Sequence, residues 1–246
     1  MDTIKINKGN AKMVAHRGLS GLETENTASA FVAAGNRSYF GMECDIHPTR
    51  DKEFVVIHDF TTERVCDTNI TVEESNFFDL RKLVLKDRSG AGDIADMKIA
   101  RGDIIIPTLE EYIAICKKYS KVSVLEIKGP FSKADLQAVV SIIKGLDWLE
   151  NVIFISFDFD NCVNLRNMLP DAKVQYLVCE YNEEILNKLL MHKLDIDIYY
   201  KALTKENISQ MHANNITVNC WTVDDKDVAE QLASWGVDFI TSNILE

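Results

Sequence analysis

A single (β/α)₈ barrel of the α/β class, spanning residues 1–246, is the fold this sequence predicts, and two observations carry the prediction. Short apolar runs alternate with amphipathic stretches through most of the chain. About eight such strand–helix units fit the ~250 residues typical of the closed barrel. The runs are also β-branched and almost continuously apolar, as strands buried on both faces are. A doubly wound open sheet satisfies the same alternation and stands as the structural alternative.

The strand-like runs begin at Met13 (MVAH), Tyr39 (YFGMECDIH), Phe54 (FVVIHD), Val122 (VSVLEIK) and Val152 (VIFISFD), then at Lys173 (KVQYLVC), Ile196 (IDIYY), Thr217 (TVNCWTV) and Val237 (VDFITS). Helices are expected between them. The first covers 27–36, where Asn26 and Thr27 are both good caps. Thr108 to Tyr119 opens with T-L-E-E after Pro107, the signature of a capping box. Ser132 to Leu146 pairs a capping serine with apolar positions at helical spacing, and further helices are expected near 160–168, 182–191, 204–214 and 225–235. One stretch breaks the rhythm. From Phe60 to Ile106 the chain is polar and charged, with R-S-G-A-G-D at 88–93 and no clean period. It reads as an insertion after the second barrel strand region, either a lid that selects substrate or a solvated excursion. Long insertions in compact domains are often binding loops, which favours the first reading.

Composition excludes several functions. A net charge of -11 repels nucleic acid and anionic membrane surfaces alike, so neither is an expected partner. No apolar run approaches the ~18 residues a membrane span needs, so stable membrane insertion is not expected. The polar start, Met1 to Lys12, lacks a signal-peptide core, and cytoplasmic residence is expected. The six cysteines form no C-x-x-C pair, and Cys44, Cys116, Cys179 and Cys220 lie in apolar segments. They read as buried reduced thiols rather than as disulfides or a zinc site.

The chemistry-bearing residues cluster at strand ends. Glu43 and Asp45 alternate with Cys44, so both carboxylates share one face of a strand. Two carboxylates aimed into a core are costly unless a cation meets them, and a hard metal ion with oxygen ligands does so. Glu126 and Lys128 repeat the pattern in L-E-I-K-G-P, as an ion pair or as a third ligand with a phosphate-neutralising ammonium. His16 and Arg17 close the first strand in V-A-H-R-G, and His58 closes F-V-V-I-H-D. A histidine at one strand end is usually structural, but two at C-terminal strand ends of a barrel are harder to dismiss. Histidine exchanges protons near neutral pH and arginine grips phosphate bidentately. Together these residues suffice for phosphodiester cleavage.

Those same residues lie in blocks that resemble the glycerophosphodiester phosphodiesterases. H-R-G (16–18), E-N-T (25–27), A-F (30–31), E-C-D-I-x-x-T-x-D (43–51), V-V-I-H-D (55–59) and Arg64 match the first part of that family. I-P-T-L-E-E (106–111), L-E-I-K (125–128), S-F-D (156–158), C-W-T-V (220–223) and G-V-D-F-I-T (236–241) continue in order, so the resemblance covers almost the whole chain. It implies a metal-dependent barrel enzyme that releases glycerol 3-phosphate and an alcohol from a small glycerophosphodiester. Glu43, Asp45 and Glu126 would hold one Mg²⁺ or Ca²⁺ ion, and His16 and His58 would serve as general base and acid. Arg17 and Lys128 would bind the phosphate, and Trp221 would pack on the glycerol or alcohol part or fill the core. Asn26 would cap the first helix or stand near the phosphate.

The chain departs from that family's pattern in three places. Thr24 stands where proline usually precedes E-N-T, and Ser242 and Asn243 follow Thr241 where the family has Asp and then Pro. His47 is unexpected; alternation puts it on the face of Glu43 and Asp45, within reach of the site or in a supporting or surface place. A lysophospholipase D-like activity on the same site, and a barrel that binds a phosphorylated ligand without turnover, are the rival readings.

Overall fold

The computed structural model describes residues 2–87 and 101–246. The R-S-G-A-G-D run at 88–93 lies outside the described residues. Eight parallel strands form the barrel. In chain order they are β1 (Lys12–Ala15), β2 (Gly41–Pro48), β4 (Val122–Ile127), β5 (Val152–Ser156), β6 (Lys173–Val178), β7 (Asp195–Tyr199), β8 (Val218–Trp221) and β9 (Phe239–Ser242). Each pairs with its sequence neighbour, and β1 closes the ring by pairing with both β2 and β9, through Val14↔Gly41 and Val14↔Thr241. The closed barrel is therefore the fold, and the open sheet is excluded.

The helices surround it: α1 (Ala28–Gly35), α3 (Leu109–Tyr119), α4 (Lys133–Gly145), α5 (Phe159–Met168), α6 (Glu183–His192), α7 (Lys205–Ala213) and α8 (Lys226–Trp235). Their starts lie where the sequence puts them. Thr108 and Glu111 form the capping box of α3, and Ser132 caps α4 through the Asp135 amide. Thr27, not Asn26, caps α1. Side chains on the outward face of the strands, such as Cys44, Leu125, Phe154 and Ile198, build the main core against these helices. Val14, Val124, Ile153, Ile155, Leu177 and Phe239 fill the barrel interior.

One strand corrects the sequence reading. The Phe54 run is a strand, β3 (Phe54–Val56), but it is antiparallel to β2, pairing Ile46↔Val56 and Pro48↔Phe54. It is not a barrel strand. Parallel neighbours need a crossover of a dozen or more residues, and here the chain reverses within 49–53. Thr49 donates its amide to Glu53 and Lys52 sits at φ 67°, the geometry of a tight turn. His58 therefore lies in the segment after β3, not at the end of a barrel strand.

The segment after β3 is better built than its polar text suggests. Val65, Val72, Leu80, Leu85 and Ile106 are buried together with Val55 and Ile57 in a second apolar cluster. A four-residue helix, α2 (Phe77–Leu80), lies within it. Of the cysteines, five are buried and none is paired; Cys179 is exposed, because β6 ends one residue earlier and it lies in the loop beyond. Among the described residues no helix is long and apolar enough to cross a membrane.

Candidate active site at the barrel mouth

All eight sequence-predicted site residues reach the C-terminal mouth. Glu43 and Asp45 project from β2 and Glu126 from β4, where Asp45 and Glu126 are direct cross-strand partners. The strand between them in chain order, β3, has been displaced to the outside, so the two acidic strands become neighbours. Among the described residues, the ligand oxygens of Glu43, Asp45 and Glu126 all lie within 4.8 Å of one another. Asp45 is fully buried and its Oδ1 has no hydrogen-bond donor. Three buried carboxylates, one with an oxygen free of hydrogen bonds, fit a hard divalent cation.

The turn after β1 delivers the next two groups. Arg17 adopts φ 52°, which turns its backbone amide onto Glu43 Oε2 at 2.7 Å. Gly18 follows at φ 73°, and a Cβ there would sit 2.7 Å from the backbone of Ala30, so this turn needs glycine. The Arg17 guanidinium donates to Glu25 at 2.9 Å and lies 3.6 Å from Asp45. His16 Nε2 stands 4.0 Å from Glu43, while Nδ1 meets the Asn243 side-chain oxygen at 2.7 Å. An amide oxygen only accepts, so Nδ1 carries the proton and Nε2 is left as an acceptor. Burial, reinforced by Arg17, pushes the His16 imidazole down to about 4.

His58 Nε2 lies 4.0 Å from Asp45, and Nδ1 meets Asp59 at 2.6 Å. Arg64 locks that carboxylate at 2.6 Å and grips Glu25 through two bonds of 2.8 and 2.7 Å. A continuous chain of hydrogen bonds thus runs from His58 through Asp59, Arg64 and Glu25 to Arg17. Lys128 bonds Glu126 at 2.8 Å and lies 3.5 Å from Asp45. Burial resists the charge on Asp45, but His58, Arg17 and Lys128 hold it well below the usual carboxylate range. Burial and the Asp45 charge push Glu126 up to about 7, and burial with both neighbouring carboxylates raises Glu43. A cation placed among them would remove that repulsion.

Two residues left open by the sequence find their places. Asn26, at φ 55°, donates its amide to Asp45 at 2.8 Å and so braces a site carboxylate. His47 is buried, which excludes a surface role. Its Nε2 donates to the His58 carbonyl at 3.2 Å, its Nδ1 faces Glu73 and its ring packs against Phe60, so it supports the His58 segment. Trp221 is half-buried at the end of β8, with Phe157 and Tyr199 against it at 5.5 and 5.6 Å between ring centres. Together with His16, Glu43, His58 and Glu126 it lines a cavity of about 90 Å³.

Three neighbours of these groups had not been singled out. Asp59 adjoins His58 in the H-D pair, a signal that was present. Asp224 fixes the other histidine's partner, accepting from the Asn243 side chain at 2.6 Å and its backbone at 2.8 Å. Asp197, buried on β7, stands across the cavity; its only signal was the L-D-I-D-I alternation.

A cluster of three carboxylates, two cations and two histidines at one barrel mouth suits the chemistry of a phosphoric diester hydrolase. Fold and mouth together assign the chain to that class of enzyme. The family follows from comparison with known proteins: residues 16–245 match the glycerophosphoryl diester phosphodiesterase family, and the chain belongs to it. A glycerophosphodiester phosphodiesterase of Caldanaerobacter subterraneus subsp. tengcongensis is 29% identical, over 94% of this chain and 93% of its own. Among solved structures, a phosphodiesterase of Oleispira antarctica, in complex with its product sn-glycerol-3-phosphate, superposes with a TM-score of 0.85. It is 22% identical and covers 98% of this chain and 96% of its own. A glycerophosphodiester phosphodiesterase of Parabacteroides distasonis gives 0.77 at 25% identity, over 95% and 93%.

Proposed function

We propose that this protein hydrolyses water-soluble glycerophosphodiesters to glycerol 3-phosphate and an alcohol, as one catalytic domain over residues 1–246 with a cytoplasmic workplace. The convergence of Glu43, Asp45 and Glu126 within 4.8 Å, with one histidine 4.0 Å from Glu43 and the other 4.0 Å from Asp45, carries this reading. The carboxylates would hold one Mg²⁺ or Ca²⁺ ion, which supplies positive charge to the phosphoryl oxygens. Arg17 and Lys128 add fixed cations beside the same position, in a site where buried charge acts strongly.

The histidines divide the proton work. His16, its Nδ1–H committed to Asn243, takes the proton of the attacking oxygen on Nε2. That oxygen's electron pair forms the new bond to phosphorus while the bond to the departing alcohol breaks. In its doubly protonated form, with Nδ1–H held by Asp59, His58 gives the departing oxygen the proton on Nε2. Trp221 would pack on the carbon skeleton.

The test is release of glycerol 3-phosphate from glycerophosphocholine, with EDTA, Mg²⁺ and Ca²⁺ compared in parallel. Turnover abolished by EDTA and restored by one cation supports the assignment. Absence of turnover of any glycerophosphodiester with either cation would overturn it. A second reading draws on Phe60 and Phe157, which are 50% and 45% exposed near the mouth and would suit an acyl chain. Faster turnover of lysophosphatidylcholine than of glycerophosphocholine would establish that lipid activity instead.

A further inference from the structure

Inside the barrel, just below the mouth, four successive strands each contribute one buried polar side chain: Gln175 from β6, Asp197 from β7, Asn219 from β8 and Thr241 from β9. Three of them satisfy one another. Thr241 Oγ1 donates to Asn219 Oδ1 at 3.2 Å, and Asn219 Nδ2 donates to Gln175 Oε1 at 3.2 Å. The belt passes Asp197 by, although Asp197 is the direct strand partner of Asn219. Its Oδ1 is buried with no hydrogen bond, and the residue is 2% exposed.

A buried carboxyl oxygen with no partner is costly to keep. The other inward acid of β7, Asp195, has a partner, accepting the Thr217 amide at 2.8 Å. Nor does Asp197 belong to the metal cluster, whose ligand oxygens come from Glu43, Asp45 and Glu126. What Asp197 does share is the cavity. It lines the same space as His16, Glu43 and Glu126, with Ile155, Leu177 and Trp221 as apolar walls. A pocket with hydrocarbon walls, a phosphate-binding rim and one unsatisfied oxygen fits a short carbon chain that carries a hydroxyl.

We propose that Asp197 is a specificity residue, whose carboxyl takes a hydrogen bond from a hydroxyl on the glycerol half of the diester. The inference rests on the glycerophosphodiesterase reading and adds which half of the substrate enters the cavity. The hydroxylated half goes inward over Asp197, and the variable alcohol points outward past Phe157. Selection then falls on the glycerol, because an analogue without hydroxyls leaves Asp197 as unpaired as the empty cavity does.

The test compares glycerophosphocholine with propylphosphocholine, which keeps the phosphodiester and lacks the hydroxyls, on the cation-loaded wild type, Asp197→Ala and Asp197→Asn. The wild type is expected to favour the glycerol diester in kcat/KM by about 10- to 100-fold, the range of the cost of leaving a buried polar group unpaired. Asp197→Ala should lose that preference and change propylphosphocholine turnover less than about threefold, while Asp197→Asn, which keeps an acceptor oxygen, should retain part of it. A parallel fall on both substrates, or a wild type that turns both over equally, would overturn the assignment to Asp197 alone. Inactivity of the wild type on both diesters would instead sink the function beneath it. Should Asp197→Ala fail to fold, the near-isosteric Asp197→Asn decides the question by its preference between the two substrates.

Discussion

The two halves of the barrel mouth are made of opposite materials. The half supplied by β1, β2, β4 and the segment after β3 is ionic, and its groups hold one another. Arg17 has Glu25, Arg64 has Glu25 and Asp59, His58 has Asp59, and Lys128 has Glu126. The half supplied by β5, β7 and β8 is aromatic, with Phe157 and Tyr199 each packed against Trp221. Here Trp221 Nε1 and Asp197 Oδ1 are buried with no hydrogen bond and no opposite charge beside them, whereas on the ionic half the unbonded Arg17 Nε and Asp45 Oδ1 each keep an opposite charge at 3.6 and 3.5 Å. The difference separates two demands on a site. Groups that move charge must be fixed before the substrate arrives, whereas groups that recognise it must still have something to offer.

That contrast predicts a gradient of mutational effects. On the ionic half, His16→Ala and His58→Ala should each lower kcat by about 10²–10⁴ with the fold unchanged by circular dichroism. Retention of near-normal kcat by either variant would remove that histidine from the proton-transfer scheme. One layer further out, Asn26→Ala should weaken cation activation by about 10- to 100-fold, since it orients Asp45; a titration of activity against Mg²⁺ measures this. Unchanged cation dependence would mean that Asp45 is positioned by its strand alone. On the aromatic half, Trp221→Ala should raise KM by roughly tenfold while kcat stays within a few-fold, as befits packing. A large loss of kcat there would erase the proposed division between the halves. Phe157→Ala should be the mildest, a change in KM of a few-fold from one lost edge-to-face contact.

How far the sequence revealed this molecule depended on the range over which each feature is encoded. The helix starts at Thr108 and Ser132 are written in four consecutive residues, and the structure has them there. The convergence of Glu43 and Asp45 follows from strand alternation and needs only three. The orientation of β3 was harder, because an apolar run does not state its direction; the short turn over 49–53 does, once its length is weighed. The partner of His16 was out of reach of any local pattern, since Asn243 lies 227 residues away along the chain. The family resemblance flagged that position as unusual without showing that its amide fixes a tautomer. Asp197 was overlooked for another reason. Its alternation matches that of Glu43 and Asp45, but the quality that sets it apart, the lack of a partner, exists only in three dimensions.

The displaced strand β3 has a mechanical consequence. His16 is carried by the barrel wall, but His58 hangs from a hairpin that leaves β2, turns within 49–53 and returns antiparallel to it. The gap between the two histidines is therefore gauged by a turn and its supporting His47, not by the curvature and stagger of the barrel. Lengthening that turn by a residue would shift one jaw of the site relative to the other while leaving the eight-stranded frame as it is, so this hairpin is the adjustable part of an otherwise rigid vice.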